Sequence, residues 1–343
     1  MTRRTYLVGP VSAAVAQTCW RGPRAQGLCL AFNPSGDTDV TVGPRDGWDD
    51  VCRRLPPGWR PDFVVLAPAY SVLPPCLWQA RVPLVALAAD WPLLWHHYRH
   101  ALPRCELVLT DTAGAQAMRR QGWEHARAAN LYGLEPDFRD SAPAPGGRDV
   151  DVLFVGNLHP AVQADRLPWL GRLARLAERW HVHIATGVCG ADYRALLARA
   201  RVVFNRSMRG ECNRRAFEAA GAGALLFQEK ENLETHACFR DRQEGVYYTG
   251  DDLEDLLEHY LSHEEERRAV AEAGRERVQG FTFEALWEQI LALIDAEWPL
   301  LLERAERRPA GLAAMPPGPG TAALAIPAGP AFPTGPGGSG APA

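Results

Sequence analysis

Several common signatures are missing from this sequence. Among eight cysteines (Cys19, Cys29, Cys52, Cys76, Cys105, Cys189, Cys212 and Cys238) there is no C-x-x-C pair, which argues against a structural zinc site. No apolar run approaches the ~20 residues a membrane-spanning helix needs. The opening Met1-Thr-Arg-Arg is charged, and Tyr6-Leu-Val-Gly-Pro is too short for a secretory signal core. Scattered thiols without a signal predict a reducing cytoplasm and no disulfide framework. Lysine is nearly absent: Lys230 stands alone and arginine supplies the rest of the positive charge, a bias of codon usage before it is one of chemistry. With a net charge of -4 there is no basic excess of the kind nucleic-acid binders carry.

What is present is a chain of 343 residues, 47% hydrophobic, enough for two domains. Residues 5–9, 62–67, 83–89 and 106–111 are short apolar runs separated in part by helical stretches such as Thr112 to Gln121. Unbroken apolar runs suit strands buried on both faces of a parallel sheet. Between Arg21 and Arg60, rich in Gly, Pro, Trp and Asp, little structure is predicted. Ser141-Ala-Pro-Ala-Pro-Gly-Gly-Arg148 reads as a linker. A second series follows: strands at Val150–Val155, His181–Ala185, Arg201–Asn205, Ala224–Gln228 and Gly245–Tyr248, with helices between them, one N-capped by Asp251. Leu286, Ile290, Leu293, Ile294, Trp298 and Leu301 then form an apolar stripe at helical spacing. From Pro309 the chain is nearly all Ala, Gly and Pro, which predicts a disordered tail.

The expected architecture is therefore α/β: two Rossmann-like doubly wound domains facing across a cleft. Residues 1–140 form the first domain, 141–148 the linker and 149–282 the second. A helix at 283–308 packs back on the first domain, and a tail runs over 309–343. Open parallel sheets bind ligands at the carboxyl ends of their strands, so the site should lie between the halves.

The chemistry-bearing stretch runs from Arg201 to Phe227. Arg215 and Glu218 sit three apart on one face near a helix N-terminus. The free N–H groups there and a guanidinium suit a diphosphate, and a nearby carboxylate suits ribose hydroxyls. The competing structural reading is a surface ion pair. Asn205 closes the preceding strand, and Arg214 and Glu211 flank the helix start. Gly156 and Asn157 end another strand, with Arg166 one or two turns on; a ligand contact and an ordinary β–α turn both fit. Asp90 closes an apolar strand and reads either as a helix N-cap or as a catalytic base or acceptor contact, with His96 and His97 beyond it. Asp37/Asp39 and Asp149/Asp151 resemble the Asp-x-Asp pairs of metal-dependent transferases but are better read as turn residues.

The stretch Arg215-Ala-Phe-Glu218-Ala…Gly221 resembles the nucleotide-sugar segment of the CgeB-like glycosyltransferases within the GT-B superfamily. The resemblance extends over residues 150–295, through Val152–Asn157, Gly245-Val-Tyr-Tyr and Phe281-Thr-Phe-Glu-Ala. Over residues 1–140 it is loose, carried by Ala89-Asp90-Trp-Pro and by Leu131–Asp137. It implies that Glu218 binds the donor ribose and Arg215 the diphosphate. It also implies a metal-independent, hexosyltransferase-like enzyme with no cofactor beyond its nucleotide diphosphate sugar. The acceptor would be a glycan, a protein or a small molecule, and neither nucleic acid nor a membrane span is involved. Many retaining members have seven residues between two glutamates; here six separate Glu211 from Glu218, so both stereochemical outcomes stay open. Two rival expectations are a nucleotide-sugar isomerase on the same plan and a non-catalytic sugar-nucleotide binder.

Overall fold

A computed structural model of the protein describes residues 3–139, 147–207 and 210–309. Most of the expected linker and nearly all of the expected tail lie outside the described residues. Twelve strands form two sheets among the described residues. The first holds β1 (Tyr6–Gly9), β2 (Cys29–Asn33), β3 (Val40–Thr41), β4 (Phe63–Leu66), β5 (Leu84–Leu87), β6 (Leu107–Thr110) and β7 (Ala126–Ala128). The second holds β8 (Val150–Val155), β9 (Val182–Ala185), β10 (Ala200–Phe204), β11 (Leu225–Glu229) and β12 (Val246–Tyr248).

Every pairing is parallel, and the orders are β3-β2-β1-β4-β5-β6-β7 and β12-β11-β10-β8-β9. Strand order reverses between β1 and β4 in the first sheet and between β8 and β10 in the second. Each reversal opens a crevice at the carboxyl ends of the strands.

The first sheet is apolar on both faces because its strands alternate side chains between two cores. Leu7, Val64, Leu66 and Val108 face one core, over which lie the helices Trp48–Arg54, Trp91–Ala101 and Thr112–Arg120. Tyr6, Val8, Phe63, Val65 and Leu109 face the other, and there the covering element is the helix Phe283–Arg307. That helix starts on Thr282, whose hydroxyl accepts from Ala285 N at 3.2 Å. Its stripe of Trp287, Ile290, Ile294 and Leu301 is buried on the sheet. The Trp287 indole N–H donates to the Tyr6 hydroxyl at 2.7 Å. Burying one such side chain contributes on the order of 1.5–3 kcal/mol. The helix is pinned at its far end as well. Arg308 is ion-paired with Glu106, both almost fully buried, and donates to Ala80 O at 2.7 Å and Val82 O at 2.9 Å.

Two expectations are corrected. The stretch Arg21 to Arg60 is ordered: it carries the helices Arg21–Ala25 and Trp48–Arg54 with β2 and β3. Asp39, which the sequence offers as a turn residue, organises it. Its carboxylate accepts from Arg24 Nε at 2.7 Å and from Ala31 N at 2.8 Å, tying a helix to a strand. The N-cap of the helix Leu253–Ser262 is Asp252 rather than Asp251. Asp252 closes the turn on Thr249, accepting from its N–H at 2.6 Å.

Candidate active site

The crevice between β8 and β10 is lined by arginines. β10 runs into Asn205-Arg206-Ser207, and the helix Arg214–Gly221 begins a few residues on, closing at Gly223 in the left-handed region (φ +69). Arg215 turns back from the first turn of that helix. Its Nη1 donates to Asn205 Oδ1 at 2.7 Å and its Nη2 to Val155 O at 2.5 Å, with the guanidinium 4.7 Å from the Phe154 ring centre. Gly156 is required by this approach, since a Cβ there would stand 2.6 Å from Arg215 Nη2. Arg166 is buried beside it, 5.3 Å from the same ring. It donates to Asn157 O at 3.1 Å and to Arg206 O at 2.9 Å. Arg206 stacks on Trp169 at 4.3 Å.

Among the described residues, Arg166 Nε, Arg206 Nη1 and Arg215 Nε are buried with no hydrogen-bond partner. Buried donors normally find partners, so three in one crevice mark a place prepared for an acceptor-rich ligand. Burial, and then the like charge of Arg215, hold the Arg166 guanidinium down to about 10. An anion would relieve that repulsion.

Glu218 lies one turn along the same helix and is buried. The two residues do not form the surface ion pair considered above: Arg215 bonds into the crevice, while Glu218 accepts from the Tyr193 hydroxyl at 2.8 Å. Burial pushes the Glu218 carboxyl up, opposed by the Tyr193 hydrogen bond and the Arg215 charge. Arg214 points away and pairs with Glu135 at 2.8 Å.

The opposite wall comes from the first domain. Asp90 stands at the N-cap position of the helix Trp91–Ala101 but makes no cap bond. It is held in the left-handed region at φ +50, as is Tyr70 at φ +57, a conformation non-glycine residues rarely adopt. The carboxyl of Asp90 lies instead beside the Tyr70 hydroxyl and the carboxyl of Glu211, which reaches over from the second domain. Burial and then the charge of Asp90 push the Glu211 carboxyl up to about 10, so Glu211 keeps its proton at neutral pH. Asp111, which does cap its helix by accepting from Gly114 N at 2.6 Å, is pushed up to about 6, mainly by burial.

Glu234 of the second domain bridges the walls, accepting from Thr112 N at 2.9 Å and Thr112 Oγ1 at 3.1 Å. It thereby supplies an anion to the positive end of a helix across the cleft. The space enclosed is about 180 Å³, with Asp90, Trp91, Asp111, Tyr132, Glu211 and Glu234 among its lining residues.

The structure thus brings Arg166, Arg215, Gly156 and Asn157 to one crevice and sets Asp90 against Glu211. Asn205 is fully buried, so it stands behind Arg215, not at a surface a ligand reaches. The Asn157 carboxamide accepts from His159 N at 2.8 Å and shapes the turn. His96 and His97 lie farther along their helix and do not line the cavity. Asp149 and Asp151 pair with Arg199 and Arg201 on other elements. Tyr70, Tyr193, Arg206 and Glu234 carry no sequence signal of their own; each is defined by a partner distant in the chain, whereas Asp111 caps its own helix.

Residues 146–292 match the model of a family described as glycosyl transferase-like. No curated protein sequence is similar enough to this chain to count as a relative. Among solved structures, Anabaena HepE in complex with UDP-glucose is similar at a TM-score of 0.57 and 14% identity, over 85% of this chain and 100% of that one. Sucrose-phosphate synthase from Thermosynechococcus elongatus is similar at 0.54 and 14%, over 86% and 99%. The chain spans 56% of the pneumococcal O-GlcNAc transferase GtfA and 68% of itself, at 11% identity and a TM-score of 0.46. The fold is the GT-B arrangement of two parallel-sheet Rossmann-like domains.

Proposed function

We propose that this protein transfers a sugar from a nucleotide diphosphate sugar to an acceptor held against the first domain, without a metal or other cofactor. The observation that carries the reading is the set of three arginines, each with a buried N–H donor in reserve, at the strand-order reversal of the second sheet. As the bond from the anomeric carbon to the diphosphate breaks, its electron pair leaves with the diphosphate. Arg215, Arg166 and Arg206 receive that charge through donors set in place beforehand. Glu218, oriented by Tyr193, accepts from the ribose hydroxyls. Glu211 already holds a proton, which leaves Asp90 to take the one released as the acceptor oxygen bonds to the anomeric carbon. The Arg215-Ala-Phe-Glu218-Ala motif supports the CgeB-like subtype and a hexosyl donor. The complex of HepE with UDP-glucose makes that donor the first to try.

The test is thermal stabilisation by UDP and UDP-glucose, with and without EDTA. A ligand at 100 times its dissociation constant adds about 2.7 kcal/mol. Stabilisation that survives EDTA supports the reading. No response to any nucleoside diphosphate overturns it, and a response abolished by EDTA and restored by manganese overturns its metal independence.

A further inference from the structure

Behind the arginines lies a run of buried polar side chains that the proposed chemistry does not touch. Asn205, Ser207, Gln228, Glu229 and Asn232 are all buried, an uncommon concentration for a sheet interior. They form one connected chain of hydrogen bonds. Arg215 donates to Asn205 Oδ1 at 2.7 Å, and Asn205 Nδ2 donates to Gln228 Oε1 at 2.7 Å. Gln228 Nε2 donates to Glu229 Oε2. On the other side Glu229 Oε1 accepts from Ser207 N at 2.8 Å and from the Ser207 hydroxyl. Asn232 Nδ2 donates to Ser207 Oγ at 2.9 Å and to Glu211 O at 2.8 Å.

The direction of this chain is dictated by its ends. A guanidinium can only donate and a carboxylate can only accept. The two amides between Arg215 and Glu229 therefore have one satisfied orientation, with every N–H₂ turned toward Glu229. We infer that Glu229 is a positioning residue for the donor site. One oxygen fixes the orientation of Arg215 through Gln228 and Asn205, and the other fixes the backbone at Glu211 through Ser207 and Asn232. The crevice and the acid pair are thereby set in register by a single carboxylate that touches neither ligand. The inference rests on the proposed binding of a nucleoside diphosphate at Arg215.

Glu229→Gln tests it, because the change keeps shape and removes the acceptor-only end. One amide in the series must then turn its N–H₂ toward another donor. UDP affinity, measured by calorimetry, should fall at least tenfold in the Glu229→Gln protein. In an Arg215→Lys background the same change should cost less than threefold, since the contact it orients is already lost. Combining Gln228→Glu with Glu229→Gln moves the acceptor one link closer to Arg215 and should restore UDP affinity. Equal losses in both backgrounds, or no recovery in the swap, overturn the role, because a purely structural defect would behave that way. Should Glu229→Gln fail to fold, Gln228→Met, which cuts the arm to Arg215 alone, enters the same cycle with the same expected result. If the unaltered protein does not bind UDP, the donor site itself falls; if it binds and the cycle is additive, only the role of Glu229 does.

Discussion

The two walls of the cleft are built by opposite means. The wall in the second domain sits at the strand-order reversal, on regular backbone, with its arginines braced by buried amides. The wall in the first domain sits at the end of β5, away from the reversal between β1 and β4. It depends on two residues in the left-handed region and on a carboxyl from the other domain. A diphosphate has fixed charge and shape, and rigid donors set in advance suit it. On the proposed reading an acceptor must be met, deprotonated and released, and a wall completed only when the domains meet suits that task.

The comparison can be broken most decisively at Arg308. Its loss leaves Glu106 buried and uncompensated beneath the first sheet. Arg308→Ala should cost about 3–5 kcal/mol of stability. Hydrogen exchange should rise through β4, β5 and β6 first, with UDP binding retained until global unfolding. If the second sheet opens first, the asymmetry is wrong.

Asp90→Asn comes next. Turnover should drop by about a hundredfold or more, the scale of a lost general base, with UDP affinity unchanged. Steady-state kinetics beside calorimetry separate the two, and an unaltered rate removes Asp90 from the chemistry. On the other wall, Glu218→Ala should do the converse, weakening UDP binding by about 2 kcal/mol through lost charge-assisted hydrogen bonds. Calorimetry that shows the same dissociation constant would exclude Glu218 from the ribose.

The remaining effect needs no ligand and is read in the pH dependence of stability. The folded-state value of Glu211, about 10, lies above its ordinary 4.5. Its contribution is complete below 4.5 and lost as pH rises toward 10, by at most about 1.4 kcal/mol per pH unit. Asp111, raised to about 6, loses its share earlier. Glu211→Gln should flatten the decline measured by denaturant unfolding between pH 7 and 9, and an unchanged slope would refute the protonated state of Glu211.

The same asymmetry decides what could be read from the sequence. Arg215, Glu218 and the helix that carries them lie within one short stretch, and a helix N-terminus after a strand is a local signal. Gly156 and Arg166 were legible for the same reason. The acid pair was not, because Asp90 and Glu211 are joined only by folding, and Asp90 looked like a cap that the structure shows it does not make. The sequence offers Asn205 as a ligand contact where the structure makes it a brace behind Arg215, since burial on both faces leaves no mark on a single residue. The strands β2 and β3 were hidden by length: five and two residues among Gly, Pro and Asp give too little alternation to count.

The helix Phe283–Arg307 has a consequence for how the protein is made. The face of the first sheet that it covers, with Tyr6, Val8 and Phe63, leaves the ribosome more than two hundred residues before its cover does. At typical synthesis rates of about 5–20 residues per second, that face stays bare for on the order of ten to forty seconds. The first half of the chain to be synthesised is therefore the last to be finished. During that interval a nascent polypeptide presents an aromatic-rich surface whose closure waits for its own distant end. Anything that shields such surfaces during translation should matter more to the yield of this protein than to one whose domains mature in the order they are made.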